Sequence, residues 1–204
     1  MDLTAKLQLA YFHLKSARRV LIIGHTSPDA DALSSVGAMT EVLRPLGINI
    51  YSFAEGKSEI GFDFIPNASL VNSLPPADLD TFDVILVLDC GAISRTALEP
   101  RLRALLAAGN SGRKRPLIIE FDHHELQESY ADIEIRLPDK ASTTEIIYHF
   151  LLANKLPITK VVADCILIGL MTDTGHFLHA NSSREALAVA SEMLLHGASL
   201  PNII

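Results

Sequence analysis

Val20-Leu21-Ile22-Ile23-Gly24-His25-Thr26-Ser27-Pro28-Asp29-Ala30-Asp31 sets an unbroken apolar run directly against a cluster of imidazole and carboxylate. The run lacks the polar alternation of a strand with one wet face, so it reads as a strand covered on both faces, as in a parallel sheet. Similar runs recur at Ile48 to Phe53, at Val84-Ile85-Leu86-Val87-Leu88 and at Leu117-Ile118-Ile119. Helical spacing fills the intervals: Leu3, Leu7, Tyr11 and Leu14 before the first run, then about Ala32 to Leu46 and about Thr96 to Ala108. Further along, Ser142-Thr143-Thr144-Glu145 has capping-box spacing ahead of a helix to Leu152, and Ser182-Ser183-Arg184-Glu185 has it ahead of Ala186 to His196. Thr159 is placed to cap an apolar helix reaching Met171. Strands alternating with helices predict an α/β domain, doubly wound, its mainly parallel sheet flanked by helices. Loops are expected at Glu55 to Pro76 and at Gly109 to Arg115, with no linker or repeat, so the economical count is one domain.

Composition narrows the function. The 204 residues are 49% hydrophobic and 20% charged, which excludes a disordered or fibrous chain. Seventeen Lys and Arg against 24 Asp and Glu leave a net charge of −7, the wrong sign for holding duplex DNA by phosphate neutralisation. Cys90 and Cys165 lie in apolar stretches, as buried thiols of a reducing compartment do, and a cytoplasmic location is expected. Met1-Asp2-Leu3-Thr4 lacks the cationic start of a signal peptide, and no apolar run approaches the ~18 residues of a membrane span.

Ligands of open α/β sheets bind beyond the carboxyl ends of the strands, so the residues after each apolar run are the ones to inspect. These are His25, Asp29 and Asp31 after the first, Asp89-Cys90-Gly91 after the third, Asp122-His123-His124 after the fourth, and Thr172-Asp173-Thr174-Gly175 after the apolar helix. Singly, each has an ordinary explanation: Asp29 and Asp31 as turn and cap residues, Asp173 with Gly175 as a helix stop, and the paired histidines as a loop feature. Jointly, turn chemistry does not explain why Asp and His, rather than Asn, Ser or Gly, fill matching positions on four elements. Divalent metal does. Imidazole with several carboxylates and no thiolate suits Mn²⁺, with Mg²⁺ or another divalent ion as alternatives. Carboxylates crowded within a few ångströms need such charges to stay ionised.

His25-x-x-x-Asp29-x-Asp31, Asp89, Asp122-His123-His124 and Asp173 together resemble the DHH phosphoesterases. Ala131-Asp132-Ile133, Ser142 to Tyr148 and Thr172 to Phe177 look like the branch that includes oligoribonucleases and phosphatases of 3′-phosphoadenosine 5′-phosphate (pAp). The resemblance implies two Mn²⁺ ions, one held by His25, Asp29 and Asp89 and the other by Asp31, Asp89, His123 and Asp173. Asp122 would orient its neighbours, His124 would contact phosphate or assist proton transfer, and Arg95 would contact substrate. Two ions ~3.5–4 Å apart activate one water for in-line attack at phosphorus. The implied reaction is hydrolysis of a short oligonucleotide, pAp or a related nucleotide phosphoester.

Relatives of this branch carry a second, C-terminal domain with a Gly-Gly-Gly-His segment that grips substrate, whereas this sequence stops at Pro201-Asn202-Ile203-Ile204. The expectation is a DHH catalytic domain over residues 1–204, without that second domain and weak on natural substrates. The surface where it would dock is a place for association into a homodimer. Ser34, where relatives often have glycine, and Glu125 to Ser129 depart from the family pattern without removing a ligand. Two other readings compete: a manganese-dependent inorganic pyrophosphatase, and a non-catalytic module that binds metal, nucleotide or a partner chain.

Overall fold

The computed structural model describes residues 1–56, 61–110, 112 and 114–199. Parts of the two expected loops (57–60, 111 and 113) and the terminal residues 200–204 lie outside the described residues. Six strands form one sheet: β1 (Arg19–Ile23), β2 (Asn49–Phe53), β3 (Val71–Asn72), β4 (Val84–Leu88), β5 (Leu117–Asp122) and β6 (Ile133–Arg136). Their order is β3-β2-β1-β4-β5-β6, and every neighbouring pair is parallel. The helices are α1 (Leu3–Ser16), α2 (Ala30–Leu43), α3 (Glu99–Asn110), α4 (Thr143–Ala153), α5 (Lys160–Asp173) and α6 (Arg184–Leu195).

Period-two alternation sorts the strand residues onto two cores. Val20, Ile22, Leu86 and Phe121 pack with α1, α2, α4, α5 and α6 through residues such as Leu14, Met39, Phe150, Ile166 and Met193. Leu21, Ile23, Ile85, Val87 and Ile118 face the other way, against Phe82, Leu102 and Leu105. Both faces are therefore dry, which is why the strand sequences show no polar alternation. Strand order reverses between β1 and β4, a topological switch point whose carboxyl end is the crevice where such sheets place ligands.

The expected loop over Glu55 to Pro76 contains the two-residue edge strand β3, and β6 was not expected as a strand. The first is too short to show a periodicity, and the second alternates apolar with charged residues instead of forming an apolar run. The third helix begins at Glu99, three residues later than expected, because Ile93–Arg95 forms a single 3-10 turn first. The second ends at Leu43, and Pro45 takes the chain through another such turn. Ser142 and Thr159 cap α4 and α5 as expected, through Glu145 N and Val162 N. At α6 the cap is Ser183 rather than Ser182, so Glu185 has no capping-box partner and is free for other contacts.

Candidate metal centre

Every sequence-predicted metal ligand lies at the carboxyl end of β1, β4 and β5 or at a helix end facing it. His25 follows β1, and its Nδ1 donates to Thr26 O at 2.8 Å. That bond fixes the tautomer and leaves Nε2 as a lone pair, buried and without any hydrogen-bond partner. Nε2 instead lies 3.5 Å from Asp29 Oδ2 and 3.9 Å from Asp89 Oδ2. Asp29 serves both readings of its sequence position: Oδ1 caps α2 by accepting from Ala32 N at 3.0 Å, while Oδ2 faces the imidazole.

Asp89 is central. Its Oδ2 faces His25, and its Oδ1 lies 3.5 Å from His123 Nε2 and 3.7 Å from His124 Nδ1. The two oxygens of one buried carboxylate thus look into two different ligand groups. The backbone that delivers it is strained: Asp89 has φ of 60°, a left-handed conformation that a non-glycine residue adopts at a cost. Thr143 Oγ1 then fixes the side chain by donating to Oδ1 at 2.8 Å.

Asp31 sits in the first turn of α2, fully buried. Its Oδ2 accepts from Thr143 N at 2.7 Å, and its Oδ1 accepts from Thr144 N at 3.2 Å and Thr144 Oγ1 at 2.8 Å. Oδ1 is thereby saturated, whereas Oδ2 keeps one lone pair for another partner. The positive end of the α4 dipole points at this acid. Across the group, His123 Nε2 lies 3.1 Å from Asp173 Oδ2. Asp173 is the last residue of α5, where the negative helix end disfavours a carboxylate unless a cation stands by. Gly169 lets α5 approach this closely, because a Cβ there would overlap Asp31 Oδ1 and Thr144 Oγ1.

Electrostatics separates the acids by role. Burial, then the Asp173 carboxylate, pushes Asp31 up to about 7. Burial, then Asp31 and Asp29, pushes Asp89 well above the usual carboxylate range. His123 rises as well, which for a base favours the charged form: burial opposes its charge, but the bond to Asp173 and the field of Asp31 push it up to about 9. Asp122 differs. Burial opposes its charge too, but bonds from His124 and Gly91 hold it below the ordinary value. The protein therefore satisfies Asp122 by itself and leaves Asp31 and Asp89 short of positive charge, as expected where the missing charge is a cation.

Asp122 is fully buried and accepts from His124 N and His124 Nδ1, each at 2.8 Å, and from Gly91 N. A carboxylate accepts only, so His124 Nδ1 carries the proton and the imidazole orientation is set. Arg95 Nη1 and the His124 ring both border Gly91, 3.3 and 3.6 Å from where its Cβ would stand. Within these groups, three sets offer nitrogen and oxygen atoms all within 4.8 Å of one another: His25, Asp29 and Asp89; Asp31, His123 and Asp173; and Asp89, His123 and His124.

Sequence reasoning missed three residues here. Thr143 and Thr144 read as helix-capping residues, yet they hold Asp31 and Asp89. Two hydroxyls inside a capping box were the available signal. Arg136 gave none. Nearly buried on β6, it donates to Glu120 Oε1 at 2.6 Å and to the carbonyls of Gly91 and His124 at 3.2 and 3.3 Å, pinning the loops that carry Asp122 and Asp89.

The profile of the DHH family, N-terminal domain, matches residues 19–170. The chain belongs to the DHH family. Among its relatives, the bifunctional oligoribonuclease and PAP phosphatase NrnA of Bacillus subtilis (strain 168) is 28% identical over 178 residues, which are 86% of this chain and 52% of that protein. A probable manganese-dependent inorganic pyrophosphatase of Streptococcus mutans serotype c is 26% identical over 179 residues, 76% of this chain and 48% of the other. Among solved structures, an exopolyphosphatase-related protein from Bacteroides fragilis superposes with a TM-score of 0.80 at 25% identity, covering 98% of this chain and 58% of that one. The chain spans about half the length of these curated relatives. Among its described residues, no helix is long and apolar enough to cross a membrane.

Proposed function

We propose that this DHH chain is a divalent-metal-dependent phosphoesterase acting on a short oligonucleotide, pAp or a related nucleotide phosphoester. The observation that carries the reading is the buried Asp89, whose two oxygens face two separate groups of imidazole and carboxylate ligands. His25, Asp29 and Asp89 would hold one ion; Asp31, Asp89, His123 and Asp173 would hold the second. The lone pair of His25 Nε2, buried and without a partner, fits that role, as do acids that burial leaves short of cationic charge. The imidazole and carboxylate set suits Mn²⁺, and the pyrophosphatase relative is named for manganese. When bound, such ions supply an acidified water and offset charge on the phosphoryl oxygens.

The residues of the chain do the rest. Thr143 and Thr144 orient Asp89 and Asp31, so the donor atoms stand in place beforehand. Asp122 keeps the His124 proton on Nδ1, which leaves Nε2 as the atom that would take the proton of the attacking water and return it to the departing oxygen. Arg95, beside Gly91 and His124, offers its guanidinium to the phosphate. Water attacks phosphorus, and one P–O ester bond breaks.

The test is a panel of dinucleotides, pAp, cyclic dinucleotides, pyrophosphate and bis(p-nitrophenyl) phosphate, each with Mn²⁺, Mg²⁺ or chelator, on this chain and on Asp89→Asn. Mn²⁺-stimulated ester cleavage that Asp89→Asn abolishes is the expected result. Metal uptake with no hydrolysis of any substrate would overturn it in favour of a binding module. The pyrophosphatase relative makes cleavage of pyrophosphate alone the second reading.

A further inference from the structure

Outside the centre, Glu145, His149 and Glu185 bring a fourth ligand group together where α4 meets α6. Glu145 Oε1, His149 Nε2 and Glu185 Oε1 converge: Nε2 lies 3.1 Å from Glu185 Oε1 and 3.9 Å from Glu145 Oε1. All three residues offer atoms within 4.8 Å of one another. The other oxygen of each carboxylate is engaged elsewhere. Glu145 Oε2 accepts from Ala141 N at 2.7 Å, and Glu185 Oε2 accepts from Lys140 Nζ at 2.6 Å. Those bonds aim the two remaining oxygens at the imidazole. Glu145 is fully buried, and its Oε1 has no hydrogen-bond partner. An unsatisfied carboxylate oxygen in the interior calls for a counter-charge, since a buried acceptor left alone carries its full desolvation penalty.

We propose that Glu145, His149 and Glu185 form a second, separate metal site for a transition ion of the Zn²⁺ type, clamping α6 onto α4. Ligand atoms about 2.0–2.2 Å from a tetrahedral ion stand about 3.4 Å apart, and the spacings of 3.1 and 3.9 Å bracket that value. One imidazole and two carboxylates leave a fourth position for water, and the half-exposed Glu185 gives the ion a way in. Glu145, His149 and Glu185 share no residue with the ligand sets around Asp89, so the two groups are loaded and counted separately. Its role is a staple rather than chemistry: it joins the helix whose first turn holds Asp31 to the last helix described.

The alternative occupant of the same space is a proton on His149, which would make the three residues an ion triad. Zn²⁺ uptake by the full chain, counted by native mass spectrometry, separates the two. The expected result is one fewer equivalent bound by His149→Gln and by Glu185→Gln than by the parent, with at least a tenfold weaker affinity for that ion. Zn²⁺ is also expected to raise the parent's melting temperature more than theirs. Both substitutions lie at partly exposed positions, and circular dichroism verifies that the fold persists. Asp89→Asn should retain the His149-dependent equivalent, so this count stands apart from the fate of the phosphoesterase reading. Equal stoichiometry in the parent and both variants would overturn the proposal.

Discussion

The amino end of α4 and the carboxyl end of α5 face the same pocket with opposite polarity. At α4, three donors and a positive helix end grip Asp31, and a fourth donor grips Asp89. At α5, the negative helix end carries Asp173, whose support is the His123 imidazole. One wall of the candidate centre is fixed by the chain's own hydrogen bonds, while the other leans on positive charge. Metal sites divided in this way keep half their geometry without metal and complete the rest on binding.

The sharpest way to break that comparison is at the acid both ligand groups share. Asp89→Asn is expected to lower metal-dependent hydrolysis by about 10²–10³-fold or more, read in steady-state assays with Mn²⁺. A loss confined to one ion, seen as half the metal content with activity intact, would mean that Asp89 serves a single group.

Gly169→Ala attacks the contact between α5 and Asp31. Because the obstructed oxygen is held by Thr144, it cannot swing aside, and overpacking of this kind costs about 1–3 kcal/mol in chemical denaturation. Thr144→Val removes one donor from Asp31 and keeps the shape; Mn²⁺ affinity measured by calorimetry is expected to fall about tenfold, at the low end for groups that orient ligands.

The pH response of the metal-free chain follows from the shifts. Asp31, raised from 3.8 to about 7, holds more protons folded than unfolded, and so does His123, raised from 6.5 to about 9. The stability these groups contribute is present at low pH and declines as pH rises through about 7 and then about 9. With chelator, the melting temperature should fall over that range; with Mn²⁺, binding gains from the same deprotonation and should offset the decline. The smallest effect sharpens the contrast directly. On adding Mn²⁺, amide exchange should slow more at residues 174–178, after α5, than at Thr143 and Thr144, which are ordered already.

The alternation of apolar runs and helices made the α/β architecture legible, because strands dry on both faces leave no polar residues to confuse the pattern. The two strands it missed are the outer ones. Val71–Asn72 is too short to show a period, and Ile133–Arg136 alternates Ile with Glu and Arg, like a strand with one wet face. The candidate ligands were legible as residue types at strand ends, since function there overrides turn preference. Their supporting atoms were not. Nothing in the sequence distinguishes Thr143 as a cap from Thr143 as a donor to Asp89, for it is the path of α4 in space that decides. Arg136 carries no signal in the sequence; it is β6 that places it beside Glu120. Likewise the expected capping box at Ser182 shifted by one residue, which turned Glu185 from a helix-end partner towards His149.

Gly169 has a consequence beyond stability. The space a methyl group would need is already taken by the oxygen of Asp31 and the hydroxyl of Thr144. Glycine here and an acid at the start of α2 are therefore two halves of one spatial bargain, and neither is useful without the other. In this chain, the absence of a side chain at position 169 is what leaves Asp31 and Thr144 the room to meet.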